Sequence, residues 1–230
     1  MDRQVKNDQS KMLREVVADK VRRRIIEGSL QPGDRLSERA LSAELGLSTT
    51  PIKEAFRILQ TEGMIVSVPR KGSFVSASYK ENVLQLIYMR GALEGTATYF
   101  ASLSASEQEI AEMEQALEAA GRKIRGEEGT EDISIAACSD RFHEILRCAC
   151  RNEYLINLLQ SMRSVDRIIR SVANETVDDE SGRAYGEHCA ILQAVKAGDA
   201  REAERLMIGH IRRVGKYVIS GDGKQSQAIG

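Results

Sequence analysis

Residues 33–55 read Gly33-Asp34-Arg35-Leu36-Ser37-Glu38-Arg39-Ala40-Leu41-Ser42-Ala43-Glu44-Leu45-Gly46-Leu47-Ser48-Thr49-Thr50-Pro51-Ile52-Lys53-Glu54-Ala55, and this stretch decides the fold of the N-terminal part. Ser37 is a preferred N-cap residue for a short helix that runs to Leu45. Gly46 begins a tight break, and Pro51 lies in the first turn of the following helix, where its missing N–H costs nothing. The pattern predicts two helices joined by a short turn.

The segments on either side of these two helices are predicted to form a further helix and a β-hairpin. Apolar residues recur at every fourth position before the turn, which predicts a helix over about 10–27; they are Leu13, Val17, Val21 and Ile25. After Gly63, two strand-like runs at 65–68 and 73–76 are joined by a basic turn at 69–72, which predicts a β-hairpin. Three helices followed by a hairpin indicate a winged helix-turn-helix domain over residues 1–78.

The rest of the chain has helical patterns only. They predict about six helices, at 81–103, 106–125, 132–150, 153–175, 182–197 and 200–219. We expect a mainly α protein, in which an all-α antiparallel bundle at residues 79–220 follows the winged domain. The polar, glycine-rich residues 221–230 are expected to be a flexible tail.

Composition and charge restrict the class of protein. The chain has 230 residues, 42% hydrophobic and 29% charged, which is typical of a folded soluble protein. The sequence contains no apolar signal region and no membrane-length apolar run, so we expect a cytoplasmic protein without a membrane partner. Residues 1–78 have 14 Lys and Arg against 10 Asp and Glu, whereas the remainder has 19 against 24. A basic module on an acidic domain fits nucleic-acid binding.

The DNA-contacting residues follow from how a helix-turn-helix docks. The second helix inserts its N-terminal end into the major groove of double-stranded DNA. That end presents Ser48, Thr49, Thr50 and Lys53, and Arg39 lies on the preceding helix. Arg70, Lys71 and Gly72 form the hairpin tip, which suits an adjacent DNA backbone or minor groove. The alternative is an ordinary charged, solvated surface.

Residues 33–55, together with the Glu62-Gly63-Met64-Ile65 and Arg70-Lys71-Gly72-Ser73-Phe74-Val75 segments, resemble the GntR family of bacterial regulators. The resemblance covers about 60 residues and implies that Arg39, Thr50, Lys53 and Gly72 occupy DNA-contacting positions. Thr49 and Lys53 stand where the family often has arginine. Because arginine reads guanine bidentately and lysine does not, we expect an operator that differs from the family's common one.

The chain has three histidines, His143, His188 and His210, one on each of three predicted helices. Imidazoles from separate helices can converge in a bundle core and bind a divalent metal. Zinc, nickel, manganese and iron all suit such ligands. From the residues alone, the histidines could equally be unrelated core or surface residues. The four cysteines are expected to be small buried apolar residues, although Cys189, which follows His188, leaves thiolate ligation open.

A second resemblance bears on this point. Phe142-His143-x-x-Leu146 with Asn152, the Glu187–Ala203 segment and Arg90-x-x-Leu93-Glu94 are similar to the FCD effector-binding domain of the FadR-type GntR subfamily. It covers about 140 residues and implies a divalent cation, which we expect to be zinc, bound by the three histidines and often completed by a small carboxylate effector. The family's fourth ligand usually lies four residues before the first histidine. That position is Ser139 here, so Asp140, one residue later, could ligate, or Ser139 or water could fill the position.

Arg90 could bind the carboxylate of an effector, or it could form an ion pair with Glu94 one helical turn away. Four further arginines are similar candidates that the sequence does not rank: Arg147, Arg163, Arg167 and Arg170.

These features favour a homodimeric, ligand-responsive transcription regulator that binds a pseudo-palindromic operator, without catalytic residues. A small organic acid at the metal site would change its affinity for DNA. Two alternatives stay open at this stage. One is a metal-dependent enzyme that acts on an organic acid, and the other is a GntR-type regulator whose helical domain binds its effector without metal.

Overall fold

The structure, a computed structural model, describes residues 2–220, with side chains for 12–216, 218 and 219. It is mainly α, as expected, with ten helices and three short strands among these residues. The tail prediction for 221–230 lies outside the described residues.

The N-terminal domain is a winged helix-turn-helix. Its helices are α1 (Asp2–Ile26), α2 (Glu38–Leu45) and α3 (Thr49–Thr61), and its strands are β1 (Arg35–Leu36), β2 (Ile65–Val68) and β3 (Gly72–Val75). The strands form an antiparallel sheet in the order β1-β3-β2, with Ile65 opposite Val75. The expected hairpin is therefore present, and the two-residue strand β1, which is too short to show a sequence period, is added to it.

Local signals position these elements. The Ser37 side chain accepts a hydrogen bond from the Ala40 N–H and caps α2. Gly46 ends α2 in the left-handed region at φ 65°, which allows the tight turn into α3. The apolar stripes of α1 and α3 then pack together in one core of fully buried residues, among them Val17, Val21, Ile25, Ile52 and Leu59.

The second domain is helical. Its elements are α4 (Tyr79–Ser104), α5 (Glu107–Ile124), α6 (Ile135–Ala149), α7 (Glu153–Ser161), α8 (Arg163–Thr176), α9 (Glu180–Lys196) and α10 (Ala200–Ser220). The helix expected over 153–175 is divided at Met162 into α7 and α8. Leu155 and Leu159 of α7 pack in a small separate cluster, whereas Val165 and Ile169 of α8 join the main core. The two halves of the expected helix therefore pack in different apolar clusters.

The central pair of this domain is α4 and α10, which make the most extensive helix contact in the described residues. Gly95 of α4 permits this close approach, because a Cβ there would lie 2.5 Å from Cγ1 of Ile208. Gly215 of α10 does the same opposite Ile87, where a Cβ would lie 2.5 Å from Cγ2. The close contact aligns α10, which carries His210, against the core.

The two domains meet where α1 packs on α8. Asp19 of α1 forms an ion pair with Arg167 of α8, and Arg23 of α1 binds Glu175 of α8 at 2.6 Å. The DNA-binding domain is thus joined by charged contacts to one helix of the helical domain. None of the described helices is long and apolar enough to cross a membrane.

Candidate nucleic-acid interface and metal centre

The candidate DNA-reading end is the start of α3. Ser48, Thr49, Thr50 and Lys53 are all exposed there. Ser48 is the N-cap residue but makes no side-chain capping bond, so its hydroxyl is available to a ligand. Because an N-terminal helix end carries partial positive charge, these groups suit contact with phosphate as well as with bases.

The remaining predicted contacts are also exposed. Arg39 lies on α2, Arg70 and Lys71 lie in the turn between β2 and β3, and Gly72 begins β3. Gly72 has φ 111°, a conformation that favours glycine. Arg57 is a further candidate that was not predicted; it is exposed one helical turn beyond Lys53 on α3, and that spacing could have identified it. Contact of these residues with DNA stays a prediction.

The three histidines come together in the core of the helical domain. His143 of α6, His188 of α9 and His210 of α10 are each at most 3% exposed. Nε2 of His188 lies 3.1 Å from Nε2 of His143 and 3.1 Å from Nε2 of His210. All three ligand atoms lie within 4.8 Å of one another. Nitrogens bound to one tetrahedral zinc ion would be about 3.3 Å apart, so the cluster fits a divalent cation.

The protonation of the cluster suits metal binding. Burial, followed by the charges of neighbouring histidine and arginine side chains, holds the pKa of His143 and of His188 well below the ordinary value. Both rings are therefore neutral at neutral pH, the form in which imidazole ligates metals. The ring of Phe142 packs against His188 with centroids 5.0 Å apart and excludes water on that side.

Glu187 supports the cluster from behind. The Nδ1–H of His210 donates to Oε2 of Glu187 at 2.6 Å, which leaves the Nε2 lone pair free for a metal. Burial alone would raise the pKa of Glu187, but hydrogen bonds from His210 and Arg213 outweigh it and lower this pKa to about 2. Glu187 was not predicted to have a role, since nothing in its spacing shows that it faces a histidine 23 residues away.

A cavity of about 380 Å³ opens beside the cluster, and we call it the polar cavity. It is bounded by α5, α6, α8, α9 and α10, and its polar walls include Ser139, Asp140, Arg170, His188 and His210. The two side chains that could supply the fourth ligand, Asp140 and Ser139, are both already hydrogen-bonded. The guanidinium of Arg170 donates to Asp140 at 2.5 Å and to the Ser139 hydroxyl at 3.4 Å. Asp140 is outside the group of converging ligand atoms, so its ligation stays a prediction that requires release from Arg170.

Arg90 is buried and forms the ion pair with Glu94 that the sequence left open as the alternative to binding an effector. Its guanidinium binds Glu94 at 2.7 Å and also pairs with Asp166. Burial lowers the pKa of Arg90 to about 10, although the neighbouring Glu94 carboxylate raises it. Arg90 is absent from the walls of the polar cavity, so its contact with an effector there stays a prediction.

Two of the other four candidate arginines lie at the polar cavity and two do not. Arg167 and Arg170 line the polar cavity, Arg147 pairs with Glu94 at 3.1 Å, and Arg163 is exposed.

Cysteines behave less uniformly than expected. Cys150 is buried and Cys138 and Cys189 are partly buried, but Cys148 is exposed, because it lies on the outer face of α6. The converging ligand group found among the described side chains contains no cysteine.

Comparisons with known proteins agree with this architecture. The family described as bacterial regulatory proteins, gntR family, matches residues 13–75, and the FCD domain family matches residues 85–213. An uncharacterized HTH-type transcriptional regulator of Bacillus subtilis, YdhC, is 29% identical over 84% of each chain. The Nta operon transcriptional regulator of Aminobacter aminovorans is 28% identical over 80% of this chain and 83% of its own. The solved structure of Escherichia coli McbR/YncC has the same fold, with a TM-score of 0.59 at 20% identity over 91% of this chain and 98% of that one.

A winged helix-turn-helix joined to a helical ligand-binding domain defines a ligand-responsive transcription regulator. The chain belongs to the GntR family and has an FCD domain, as the FadR-type subfamily does.

Proposed function

We propose that this regulator binds a divalent metal, zinc first among the candidates, through His143, His188 and His210, and that a small organic acid completes the site and changes the affinity for operator DNA. The observation that carries the proposal is the convergence of three buried histidines, two of which, His188 and His210, line the polar cavity. A bound cation would supply a Lewis-acidic, positively charged anchor for a carboxylate.

The residues around this anchor suit the effector. Arg170 and Arg167 line the same cavity and offer donors to a second carboxylate or hydroxyl group. Arg170 already binds Asp140, so an effector would compete with that side chain for the guanidinium. An acid that carries a second carboxylate or a hydroxyl group therefore fits the cavity better than an acid whose other end is apolar.

The same wall contacts the DNA-binding domain. Arg167 pairs with Asp19 of α1, and Ser171 and Glu175 both accept hydrogen bonds from Arg23. An effector that engages Arg167 alters these contacts and thereby biases the position of α1 relative to α8. We propose that the unliganded protein represses and that the effector weakens its binding to DNA.

We also propose a homodimer. The outer side of α4 and α7 exposes large apolar side chains, with exposed fractions of 42% for Phe100, 62% for Leu103 and 91% for Tyr154. Exposed apolar groups of this size mark interaction surfaces. A two-fold dimer would place two α3 helices on the half-sites of a pseudo-palindromic operator. Sedimentation of Tyr154→Asp alongside the unchanged chain tests this; an unchanged sedimentation coefficient contradicts a dimer through this side.

The decisive experiment is metal analysis of protein purified without a histidine tag. We expect one metal ion per chain, lost in His188→Ala and retained in Cys189→Ala, which also tests thiolate ligation. Small dicarboxylates and hydroxy acids are then screened by thermal shift, with and without a chelator. Hits are checked for altered binding to DNA selected from a random library. Metal-free protein that still responds to an acid on DNA contradicts the proposal and favours a regulator without metal.

A further inference from the structure

A second cavity lies between the two domains, and nothing in the proposed function uses it. It has a volume of about 340 Å³ and is called the apolar cavity here. Its walls come from α3, α4, α7, α8 and α10, and most are hydrocarbon, including Ile58, Leu86, Leu158, Val165 and Ile169. His210, Arg170 and Val214 line both cavities and thus separate the apolar one from the polar one.

Arg90 supplies the polar feature of this cavity. The side chain lines the wall and is only 4% exposed. Its Nε–H is buried without a hydrogen-bond partner among the described residues. A buried donor without an acceptor is unfavourable, because the N–H has lost water and gained nothing. A ligand atom that accepts a hydrogen bond from Nε would remove this penalty.

The charges around Arg90 are already balanced. Glu94 and Asp166 pair with its guanidinium, and each also binds a second arginine, Glu94 to Arg147 at 3.1 Å and Asp166 to Arg170 at 2.9 Å. Arg170 in turn binds Asp140, so three guanidinium groups face three carboxylates. An additional carboxylate would bring an uncompensated negative charge beside two buried ones, which is costly at low dielectric. The ligand that fits is therefore uncharged, in contrast to the acid expected in the polar cavity.

Size and shape limit the ligand further. A volume of about 340 Å³ is at the lower end of the range for small-molecule sites. It accommodates a molecule about as large as a bicyclic aromatic. Hydrocarbon walls favour aromatic or branched aliphatic groups, with polarity confined to one end.

We propose that the apolar cavity is a second ligand site, which takes an uncharged, largely apolar molecule whose single acceptor group faces Arg90. One wall belongs to α3, the candidate DNA-reading helix, through Ile58 and Thr61. The other walls belong to the helical domain. A ligand here touches both domains at once and stabilises one relative orientation of them.

Binding of prodan, 6-propionyl-2-dimethylaminonaphthalene, tests the proposal. This probe is uncharged, bicyclic and apolar, and it has one carbonyl acceptor; its emission shifts to the blue in apolar surroundings. We expect saturable binding of one probe per chain. The chain has no tryptophan, so Leu86→Trp both fills the cavity and reports folding through its own emission. This variant should weaken prodan binding at least tenfold.

Two controls locate the binding. Ala136→Trp places a large side chain in the wall of the polar cavity on α6, and Val66→Ser removes an exposed apolar side chain of β2, outside both cavities and the proposed dimer surface. Both should bind prodan within twofold of the unchanged chain. Non-saturable binding, absence of binding, unchanged affinity in Leu86→Trp or loss in Val66→Ser overturns the proposal. If Leu86→Trp fails to fold, Ile58→Trp fills the cavity from the opposite wall and replaces it.

The role of Arg90 is tested on the ligand, because an Arg90 variant would remove one of the two arginines that pair with each of the buried carboxylates Glu94 and Asp166. 2-Dimethylaminonaphthalene lacks the carbonyl group of prodan and competes with it for the same site. We expect it to bind about tenfold more weakly, since it leaves the Nε–H of Arg90 without an acceptor. Equal affinity would overturn the assignment of Arg90 as the donor.

Discussion

Glu187 offers the sharpest test of the metal centre. Replacing it removes the acceptor that orients His210, while all three histidines remain. The Nδ1···Oε2 distance is 2.6 Å, and the pKa of about 2 keeps this carboxylate ionised at any working pH. The bond is therefore charge-assisted. Carboxylates that orient a metal-ligating histidine typically contribute about 10- to 100-fold to metal affinity, or about 1.4–2.8 kcal/mol.

Two substitutions separate orientation from charge. Glu187→Ala removes both and should weaken zinc binding about 100-fold. Glu187→Gln keeps an amide oxygen that can accept from Nδ1, so we expect a loss of about tenfold. Zinc affinity is measured by competition with a chromophoric chelator on tag-free protein, and circular dichroism verifies folding.

Glu180→Gln is the matched control. Glu180 binds Arg213 through both oxygens, at 2.7 and 2.9 Å, and Arg213 also binds Glu187. The control perturbs this arginine but leaves the hydrogen bond to His210 intact. Zinc affinity should stay within about threefold. An equal loss in Glu180→Gln and Glu187→Gln, or unchanged affinity in Glu187→Ala, would refute the reasoning.

Three further predictions concern the DNA-binding domain and a helix cap. If the exposed Arg70 contacts one phosphate of duplex DNA, Arg70→Gln should reduce the slope of log Kd against log salt concentration by about 0.9. Fluorescence anisotropy measures this slope, and an unchanged slope excludes the contact. Arg22 is fully buried and binds both oxygens of Glu62. Arg22→Met should therefore cost about 3–5 kcal/mol and lower the melting temperature by at least about 6 °C, and adding Glu62→Met should restore most of it; a shift under 2 °C argues against this. Burial would raise the pKa of Glu109, but hydrogen bonds, first among them that of the Ser106 N–H, lower it. The unchanged chain should be about 1 kcal/mol more stable to unfolding than Glu109→Gln above about pH 4.5, and this difference should disappear as the pH falls through the lowered pKa. Thermal melts at several pH values measure the difference, and a difference that persists at low pH contradicts the assignment.

Much of the N-terminal domain could be predicted because its signals are local. A helix cap such as Ser37, a left-handed glycine such as Gly46 and an apolar residue at every fourth position act within a few residues of chain. The same kind of pattern predicted the helices of the second domain. It failed at Met162, where the helical period of the sequence continues but the structure has two helices that pack in different clusters.

The histidine cluster is a different case. The sequence, through its resemblance to a family, named His143, His188 and His210, but residues 45 and 22 positions apart meet only because α6, α9 and α10 pack side by side. Packing likewise decided that Arg170 holds Asp140 and that Glu187 stands behind His210. It also enclosed the apolar cavity around the unpartnered Nε–H of Arg90. Neighbouring residues determine the local backbone conformation, whereas contacts between distant side chains form only when the helices pack. The sequence by itself therefore determined the class of regulator, and the tertiary structure decided the arrangement of its candidate sites.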